Sequence, residues 1–401
     1  MKNVAVIGGG AAGFFAAIHA AQNGNEVTIF EKGNSLLNKV RISGGGRCNV
    51  THACFEVNDL VKFYPRGSKE LISAFYRFNT NHTIDWFESR GVELKTEGDG
   101  RMFPVSDLSQ TIIDCLLKEA KRNGVKIKTQ CGVNAVILVD SKLILKFAND
   151  AQKEFDSVIV TSGGYPSSKN YDWLRGLGIN IVEPVPSLFT FNIPNSPLKG
   201  LEGVSVSDAL VTVEDSKFKY NGPLLITHWG ISGPAVLKTS AFAARFIHDL
   251  NYNFTASINF IPSFSAIELE ELFNQQKKNH PSKKVFSKLF PQLPGRLWER
   301  LCAAAGITEG CQYANISKQQ MLSLIKNILS YELRVKGKTT FKEEFVTCGG
   351  IDLKEVDMKT MESKKIPGLF FAGEVLNIDG VTGGFNFQAA WTTGFIAGSS
   401  V

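Results

Sequence analysis

The sequence predicts an α/β fold in which a Rossmann-type dinucleotide-binding domain is interrupted by an inserted module. Three observations support this prediction. A glycine fingerprint lies between a strand and a helix at the N-terminus, and a second strand, glycine loop and helix close the chain. Between them, near Pro184, the composition changes to proline-punctuated β-like runs followed by helical ones. The length of 401 residues allows two or three domains.

The N-terminal unit has the residues of a dinucleotide-binding turn. The apolar run 4–7 predicts a buried parallel strand, and Gly8, Gly10 and Gly13 follow at the G-x-G-x-x-G spacing. In this pattern Gly8 permits a tight turn, Gly10 lets the backbone approach a pyrophosphate, and Gly13 lets the helix pack against the strand. The helix, predicted over about 11–23, presents free N–H groups and a positive dipole end to the phosphates.

An acidic residue completes the fingerprint and selects among coenzymes. Residues 26–30 predict a second strand, and Glu31 follows it close to the spacing of about 20 residues at which an acid binds the adenosine ribose. A carboxylate there repels a 2′-phosphate, so the site suits FAD or NAD better than NADP. The alternative is a glycine-rich turn in an unrelated α/β fold, but the position between strand and helix favours the coenzyme site.

Composition excludes several classes of protein. The net charge of +6 is modest and is compatible with anionic substrates or weak nucleic-acid affinity. The seven cysteines are scattered without a C-x-x-C pair, which fits neither a secreted disulfide framework nor a zinc site. We expect a cytoplasmic protein with no metal and no membrane partner, since no segment predicts a signal peptide or a membrane span. One lysine-rich stretch predicts a solvated helix–loop face: Lys277, Lys278, Lys283 and Lys284.

In the stretch that separates the N-terminal fingerprint from the insertion, predicted helices and strands alternate. Helices are predicted over 69–89 and 108–123, and a strand over 125–133. Short apolar pieces from 136 to 160 predict a small β-meander that returns to the parallel sheet and ends in the turn Ser162-Gly163-Gly164. Ligands collect at the carboxyl ends of strands in open α/β sheets, so this turn is a candidate coenzyme contact. Plain loop punctuation is the alternative.

The insertion divides the sequence into three predicted domains. A discontinuous coenzyme domain comprises 1–186 and 346–401, a β-rich domain comprises 187–262 and 335–345, and a small helical domain comprises 263–334. The β-like runs are 188–193, 204–213, 224–227 and 254–260, and the helical runs are 267–278, 283–289, 296–305 and 318–329. The closing unit has a buried strand over 368–374, a glycine loop over 380–386 and an apolar helix over 387–397.

Several motifs together resemble one family. They are SGGGRCNVT at 43–51, GPLLITHWGISGPAVL at 222–237, VTCGGI at 346–351 and the long motif at 361–394. With the first unit they are similar to bacterial NAD(P)/FAD-dependent oxidoreductases of mostly unassigned reaction, a family that includes a dehydro-bile-acid reductase. The resemblance implies a glutathione-reductase-type FAD domain interrupted by a β-rich module that carries a small helical domain.

The resemblance also implies which residues contact FAD. Those implied at the phosphates are Gly8, Gly10, Ala12 and Gly13; at the adenosine Glu31, Lys32 and Val133; and near the pyrophosphate or isoalloxazine Ser43, Gly45, Arg47, Cys48 and Asn49. Those implied beside the cofactor are Ser162, Gly163 and Gly164; at the ribityl–phosphate region Gly373 and Glu374; and at the flavin edge Gly383, Gly384, Phe385 and Asn386.

The closing helix offers electrostatic stabilisation. Reduced flavin carries negative charge near N1 and the C2 oxygen, and a helix N-terminus at 383–385 would stabilise it with backbone N–H groups. On this hypothesis a bulky residue in place of Gly384 lowers the flavin potential or causes loss of FAD. Arg47 would bind an anionic substrate or, as we prefer, the cofactor phosphates.

Two further features have alternative interpretations. Cys48 and Cys54 stand where disulfide reductases of this superfamily place a redox pair, but their spacing differs and no His–Glu dyad is present near the C-terminus. We therefore favour packing of Cys48 beside the flavin over a flavin-linked disulfide. His228, within a matching motif, faces the flavin or, as we prefer, is hydrogen-bonded within the inserted module.

The predicted function is that of an FAD-dependent oxidoreductase. Flavin supplies the chemistry, and the protein positions a small, enone-like substrate between the FAD domain and the inserted module. No second G-x-G-x-x-G unit lies between strand and helix, so either NADH or NADPH binds as a transient donor or the donor is a different compound. One alternative is a flavoprotein acting on nucleic acid, disfavoured because no Arg/Lys stripe with interleaved aromatics is present. The other is a flavin-binding sensor without turnover. The sequence assigns neither a catalytic proton donor nor an oligomeric state.

Overall fold

The chain builds two units, and the first is made from both of its ends. The structure is a computed structural model that describes residues 1–140, 142–339 and 346–401. Unit 1 comprises Met1–Ser187 with Phe341–Val401, and unit 2 comprises Leu188–Thr340. The chain therefore leaves unit 1 once and returns to it.

The N-terminal part of unit 1 contains eleven strands and seven helices among the described residues. The strands are β1 (Asn3–Ile7), β2 (Glu26–Phe30), β3 (Thr51–His52), β4 (Leu94–Thr96), β5 (Arg101–Pro104), β6 (Lys126–Lys128), β7 (Val133–Val139), β8 (Lys142–Phe147), β9 (Gln152–Phe155), β10 (Ser157–Val160) and β11 (Ile181–Ser187). The helices are α1 (Ala11–Gln22), α2 (Asn38–Gly46), α3 (Val57–Leu60), α4 (Leu71–Arg77), α5 (Thr80–Glu88), α6 (Ser109–Arg122) and α7 (Asp172–Arg175).

Unit 2 combines a sheet with five helices in its described part. Its strands are β12 (Thr190–Asn192), β13 (Ser205–Val213), β14 (Lys219–Thr227), β15 (Gly230–Ser232), β16 (Asn253–Asn259), β17 (Tyr331–Lys336) and β18 (Lys338–Thr339). Its helices are α8 (Pro234–Phe242), α9 (Ala244–Asp249), α10 (Ala266–Asn279), α11 (Gly295–Ala304) and α12 (Lys318–Leu329). The chain then completes unit 1 with β19 (Val346–Ile351), β20 (Val356–Asp357), β21 (Glu362–Ser363), β22 (Leu369–Phe371) and α13 (Phe385–Ser400).

The central sheet of unit 1 joins the two ends of the chain. Its order is β20-β21-β22-β10-β1-β2-β6, and the five strands from β22 to β6 are parallel. Strands β1 and β10 are almost wholly buried, as the short apolar runs of a parallel sheet covered on both faces require. The predicted Rossmann-type fold, with both ends of the chain in one sheet, is therefore confirmed.

Helices α1 and α13 pack against each other with unusually close backbones. A Cβ at Gly398 would lie 2.2 Å from the carbonyl oxygen of Ala16, and one at Gly394 would lie 2.7 Å from that of Ala12. Glycine at both positions lets the closing helix approach the first helix along its length. The first helix of the fingerprint is thereby held from the C-terminal end of the chain.

Of three further predicted elements of unit 1, one is confirmed and two differ in extent. The predicted meander is present as the antiparallel sheet β7-β8-β9, which leads into β10. The strand predicted over 125–133 is wrong in extent, because β6 ends at Lys128 and the chain then turns to pair Cys131 N–H with the Glu31 carbonyl. The helix predicted over 69–89 is two helices, because the Asn79 side chain accepts from the N–H of Asn81 and caps α5.

Unit 2 has one antiparallel sheet and one apolar cluster. The strand order is β17-β16-β13-β14-β15-β12-β18. Side chains from the sheet, such as Val211 and Ile258, share this cluster with helical ones such as Trp298 and Leu324. The β-rich and helical parts of the insertion are therefore packed on a common core.

Within unit 2, two helices are not predicted from the sequence and one predicted helix does not form. The sequence gives no expectation of α8 and α9, although Pro234 at the first position of α8 is a typical helix start. No helix forms over 283–289, a segment described throughout, because its backbone bonds elsewhere: Val285 N–H donates to the Cys311 carbonyl (2.9 Å). In the described parts of both units, no helix has the length and apolar character needed to span a bilayer.

Candidate coenzyme-binding site

The turn after β1 is held tightly to the neighbouring strands. Gly8, with φ of +111°, donates its N–H to the Phe30 carbonyl (2.9 Å). The Thr161 hydroxyl, at the end of β10, donates to the carbonyls of Ile7 and Gly8, both at 3.0 Å. A Cβ at Gly13 would lie 2.0 Å from the Gly8 carbonyl oxygen. Only glycine at position 13 therefore lets α1 start this close to β1.

The space beside the start of α1 is open. Gly10 is the N-cap residue of α1, and no side chain of the described residues caps this end. Around the position of a Cβ on Gly10, no described atom lies within 4 Å. The first N–H groups of a helix have no partner within it, and they carry the positive end of the dipole. This combination of open space and free donors suits a phosphate group.

Glu31 is fixed next to this turn by backbone donors. Its two carboxylate oxygens accept from the N–H of Gly9 (2.8 Å) and of Gly33 (2.7 Å). These bonds orient the side chain and leave its remaining lone pairs for further donors. A carboxylate held in this way can accept the hydroxyls of an adenosine ribose.

The adenosine end of the predicted site is formed by the chain leading into β7. The Cys131 N–H donates to the Glu31 carbonyl (2.8 Å), and a Cβ at Gly132 would lie 3.4 Å from that of Lys32. Val133 follows directly and is half-buried. Lys32 is exposed, with its ammonium 5.8 Å from the centre of the Tyr165 ring. The structure thus brings the segment that leads into Val133 beside Glu31 and Lys32, and contact of Lys32 and Val133 with the adenosine stays a prediction.

A third segment, the SGGGRCN motif, breaks α2. Ser43 has β-region angles, while Gly44 and Gly45 have φ of +58° and +69°. The segment is tied to the first turn because Leu37 N–H, at the start of α2, donates to the Gly9 carbonyl (2.9 Å). No described atom lies within 4 Å of a Cβ position on Gly45. The loop therefore presents backbone to open space, and the start of α2 that precedes it is anchored at the turn after β1.

A fourth region joins the turn after β10 to the turn after β22. The Glu374 carboxylate accepts from the Thr347 N–H (3.1 Å) and pairs with Lys39 of α2. A Cβ at Gly164 would lie 2.9 Å from this carboxylate, and one at Gly373 would lie 2.7 Å from the Ala12 Cβ. Both turns therefore meet the first turn of α1.

Two hydroxyls in this region lack partners. The Ser162 and Thr347 oxygens are buried without a hydrogen bond to any described residue. Buried hydroxyls are normally satisfied, so they fit a site for a polar ligand. A dinucleotide site needs hydrogen-bond donors for its phosphates and an acceptor for its ribose. The described residues supply both, through the two hydroxyls, the open glycine backbone, the N-terminus of α1 and the oriented carboxylate. The residues present therefore fit FAD.

Comparison with known proteins identifies the family. The family model described as "HI0933-like protein Rossmann domain" matches residues 2–400. The chain belongs to the HI0933-like family. Its match covers both units, so the insertion is part of the family's architecture.

Three relatives with curated names share about 30% of residues with this chain. The "ribosomal RNA dihydrouridine synthase" of Haemophilus influenzae is 31% identical over 99% of this chain and 97% of that protein. The protein of the same name from Escherichia coli is 30% identical, over 97% and 95%. The "3-dehydro-bile acid delta(4,6)-reductase" of Clostridium scindens is 28% identical, over 99% and 98%. The predicted resemblance is thereby confirmed.

Solved structures agree in fold. The 3-ketosteroid-Δ4-(5α)-dehydrogenase of Rhodococcus jostii RHA1 matches with a TM-score of 0.52 at 14% identity, over 100% of this chain and 96% of that one. A flavocytochrome c3 fumarate reductase matches with a TM-score of 0.50 at 17% identity, over 100% and 78%. The HI0933-like chain thus has the Rossmann-type FAD-binding fold that these solved structures share.

Arg47 is engaged by acidic side chains. Its guanidinium lies 2.6 Å from a Glu97 carboxylate oxygen and 3.5 Å from one of Asp107, and it stacks 4.0 Å above the Phe103 ring centre. Two carboxylates compensate its charge, so a phosphate or anionic substrate would have to compete with them. Contact of Arg47 with either ligand stays a prediction.

Cys48 of the motif and the nearby Cys54 are both free thiols. Cys48 is fully buried, and burial raises its pKa to about 12, while a hydrogen bond from Ser43 acts in the opposite direction. Burial also raises the pKa of the half-buried Cys54 thiol. Thiolates are the reactive form in disulfide chemistry, so both environments favour a packing role over a redox one.

The loop before α13 is fixed mainly by its own contacts. The Asn386 side chain closes it by accepting from the Gly380 N–H (2.8 Å) and donating to the Gly380 carbonyl (2.9 Å). The Asn49 amide, oriented by its hydrogen bonds, accepts from the Gly384 N–H (3.0 Å). A Cβ at Gly384 would lie 2.5 Å from the Thr51 carbonyl oxygen. A bulky residue at position 384 therefore disturbs packing first, and it is a poor test of flavin stabilisation.

Aromatic packing holds the end of this loop. The Phe385 ring stacks on Phe63 at 4.4 Å and on His52 at 4.6 Å, and His52 Nδ1 lies 3.0 Å from the Gly383 carbonyl. The N–H groups of the first turn of α13 begin here, after Gly384. They remain the candidate donors to a reduced flavin.

Sequence reasoning missed three groups that shape the site. Thr161 and Lys39 were not singled out, because their partners lie far away along the chain. Asp379 is fully buried, pairs with Arg66, and accepts from the Ser187 hydroxyl (2.8 Å). It immediately precedes the Gly380 loop, and its place inside the long C-terminal motif was the available signal.

His228 lies in unit 2, at the turn between β14 and β15. Its side chain is exposed, and it makes no hydrogen bond to another residue in the part of the chain that the structure describes. The hydrogen-bonded role that we preferred is therefore wrong for this conformation. A role facing the flavin stays a prediction.

Proposed function

We propose that this flavoprotein reduces a carbon–carbon double bond conjugated to a carbonyl, and that its substrate is uridine in ribosomal RNA. The convergence of four chain segments on the first turn of α1, with Glu31 oriented beside it, is the observation that supports the flavin chemistry. The substrate is supported by two relatives named for dihydrouridine synthesis in ribosomal RNA, similar over nearly the whole chain.

The named relatives share one type of bond chemistry. Dihydrouridine differs from uridine by saturation of the C5–C6 bond, which is conjugated to the C4 carbonyl. In a 3-dehydro bile acid, double bonds at positions 4 and 6 are conjugated to the carbonyl at carbon 3. Conjugation makes the distant carbon of the double bond electrophilic, so it accepts a hydride. Both uridine and the unsaturated bile acid therefore belong to the predicted class of enone-like substrates.

The balanced reaction needs one hydride and one proton. The hydride adds to the carbon distant from the carbonyl, and the proton adds to its neighbour, so the substrate gains two hydrogens. We propose NADH or NADPH as the hydride donor, oxidised to NAD⁺ or NADP⁺. FAD, when bound, supplies the two-electron carrier between donor and substrate.

Backbone and side-chain groups of unit 1 would hold and tune this carrier. The open start of α1 would bind the pyrophosphate, and Glu31 would accept the ribose hydroxyls. Backbone N–H groups in the first turn of α13 would favour negative charge on the reduced flavin. Cys48, neutral and buried, fills space without entering the reaction.

The decisive experiment uses ribosomal RNA transcribed in vitro, which carries no modification. Purified protein is incubated with FAD, NADH or NADPH and this RNA, and nucleosides are analysed by mass spectrometry. The proposal predicts uridine that has gained two hydrogens, dependent on the nicotinamide. The proposal is overturned if protein with bound, reducible flavin forms no dihydrouridine in either naked RNA or assembled ribosomal subunits.

A small enone is the second candidate substrate. It is favoured by the 28% identity to the bile-acid reductase over 99% of this chain. The same assay with a 3-oxo-Δ4,6 bile acid in place of RNA tests it. Saturation of the bile acid without any change in the RNA would make this candidate the better one.

A further inference from the structure

Unit 2 carries a group of exposed lysines brought together from two stretches of the chain. We call it the lysine patch: Lys277, Lys278, Lys283, Lys284 and Lys318. All five side chains are exposed. The sequence suggested only a solvated face for the first four and did not include Lys318.

Backbone contacts place Lys318 with the others. The Lys283 carbonyl accepts from the Tyr313 N–H (3.0 Å), and Lys284 forms a β-bridge with Gln312. The Lys277 ammonium donates to the Ile316 carbonyl (3.2 Å), two residues before Lys318. Segments 277–284 and 312–318 therefore form one surface.

The positive charge of the patch is poorly compensated. Across residues 188–339, which are all described, no carboxylate lies within 4 Å of any of these five ammonium groups. Glu270 is the acidic residue that lines the same small cavity, of about 220 Å³, as Lys277 and Lys318. Such an unpaired cluster attracts a polyanion.

Helix stability explains only part of this arrangement. Lys277 and Lys278 lie in the last turn of α10, where a cation is favoured by the helix dipole. Lys318, however, is the first residue of α12, directly after the Ser317 cap, where the dipole disfavours a cation. Lys283 and Lys284 lie in no helix. Three of the five charges therefore have no role in stabilising the helices.

We infer that the lysine patch docks the phosphate backbone of ribosomal RNA. This inference rests on the proposed function and extends it, by assigning RNA binding to unit 2 and FAD binding to unit 1. Lysine ammonium groups bind phosphates without base specificity, so the patch supplies affinity and not the choice of uridine. A membrane surface is a poorer match, because residues 276–288 and 312–318, all described, expose no large apolar side chain for insertion, and beyond them on α12 the exposed Leu322 is a single apolar side chain.

The test compares two triple variants with equal changes of charge. Lys278→Gln/Lys283→Gln/Lys284→Gln removes three charges of the patch. The control, Lys217→Gln/Lys219→Gln/Lys336→Gln, removes three exposed lysines from strands or turns of the unit 2 sheet. Binding to fluorescently labelled rRNA transcript is measured from 50 to 300 mM salt. Binding to phosphatidylglycerol vesicles, which represent an anionic membrane, is measured separately.

For the patch variant, we expect the slope of log K against log salt to fall by about 3, which is about 1 per lost phosphate contact. The control slope should stay within about 1 of the wild-type value. Flavin reduction by NADH or NADPH should be unchanged in both variants, since their residues lie outside the FAD site. In the RNA assay, the patch variant should show a raised KM with kcat retained.

An unchanged salt slope or KM in the patch variant would overturn the inference while leaving the proposed function intact. Binding to vesicles that is lost in the patch variant, with RNA binding unaffected, would also overturn it. Absence of dihydrouridine from wild-type protein that still binds RNA through the patch would contradict the proposed function and support the docking surface.

Discussion

Alanine at position 10 should separate coenzyme binding from folding. Gly10 has φ of −94° and ψ of −170°, angles that any residue adopts, and no described atom lies within 4 Å of the Cβ that alanine would add. The apoprotein should therefore keep its stability or gain about 0.4–1 kcal/mol, since alanine restricts the unfolded chain. The new methyl group would occupy the space in which we place the pyrophosphate.

The expected loss of affinity follows from overpacking. An inserted methyl group in a filled site costs about 1–3 kcal/mol, which corresponds to a rise of about 5- to 150-fold in the Kd for FAD. Gly13→Ala is the matched control, because its Cβ would lie 2.0 Å from the Gly8 carbonyl oxygen before any ligand binds. That variant should lose about 3 kcal/mol in the apoprotein itself.

Two measurements decide the comparison. Fluorescence titration gives the Kd for FAD, and thermal unfolding with and without FAD gives the stability gained on binding. At FAD concentrations of 100 times the wild-type Kd, that gain is about 2.7 kcal/mol, and a 100-fold weaker Kd reduces it to about 0.4 kcal/mol. An unchanged Kd in folded Gly10→Ala protein would refute the placement of the phosphates, as would an apoprotein as unstable as Gly13→Ala.

Three further substitutions or treatments test individual residues. Asp379→Asn should lower the free energy of unfolding by about 3–5 kcal/mol, because it breaks an ion pair whose carboxylate is fully buried. Asp59→Asn, at an exposed ion pair, should cost less than about 1 kcal/mol. Equal losses in urea unfolding would contradict this expectation. Cys48 should resist iodoacetamide at pH 8 in the native protein, since a pKa of about 12 leaves about one thiol in 10,000 as thiolate; peptide mass spectrometry that finds it labelled would show otherwise. Burial lowers the pKa of His19 to about 4, so between pH 6.5 and 4 the unfolded chain binds a proton that the folded chain does not. Stability should therefore fall by up to about 3 kcal/mol over that range, and His19→Phe should remove this part of the pH dependence.

The local parts of the fold were predictable because their signals are local. The fingerprint strands and helix were predicted to within one residue, since apolar runs bounded by glycine leave few alternatives. The helix over 69–89 failed because its apolar spacing continues across Asn79, whereas the side chain of Asn79 starts a new helix there. At this position the N-cap of α5 sets the helix boundary, although the apolar periodicity alone predicts one continuous helix.

The candidate site was predictable as a set of motifs and not as a set of contacts. The glycine loops and Glu31 are recognisable from spacing, and the structure places them together. The partners of Glu374 are Lys39 and Thr347, which are far from it in sequence, so no local pattern indicates them. For the same reason, the sequence does not show that the backbone of Thr51 leaves no room for a side chain at Gly384, whose flavin contact stays a prediction.

The lysine patch shows the same limit. Lys277 to Lys284 are visible as a basic run, but Lys318 joins them only through backbone pairing of segments near 283 and 313. The absence of nearby carboxylates among residues 188–339 is likewise a property of the folded chain. A solvated face was the natural expectation from sequence alone.

The structure of this protein determined with FAD is the most direct test of the account. It should show pyrophosphate oxygens within about 2.7–3.2 Å of N–H groups in the first turn of α1, and ribose hydroxyls at the same range from Glu31. The flavin ring should lie between the broken α2 loop and the start of α13. FAD bound elsewhere, or a pyrophosphate distant from Gly10 with Glu31 facing solvent, would contradict the claim that these separated segments form one coenzyme site.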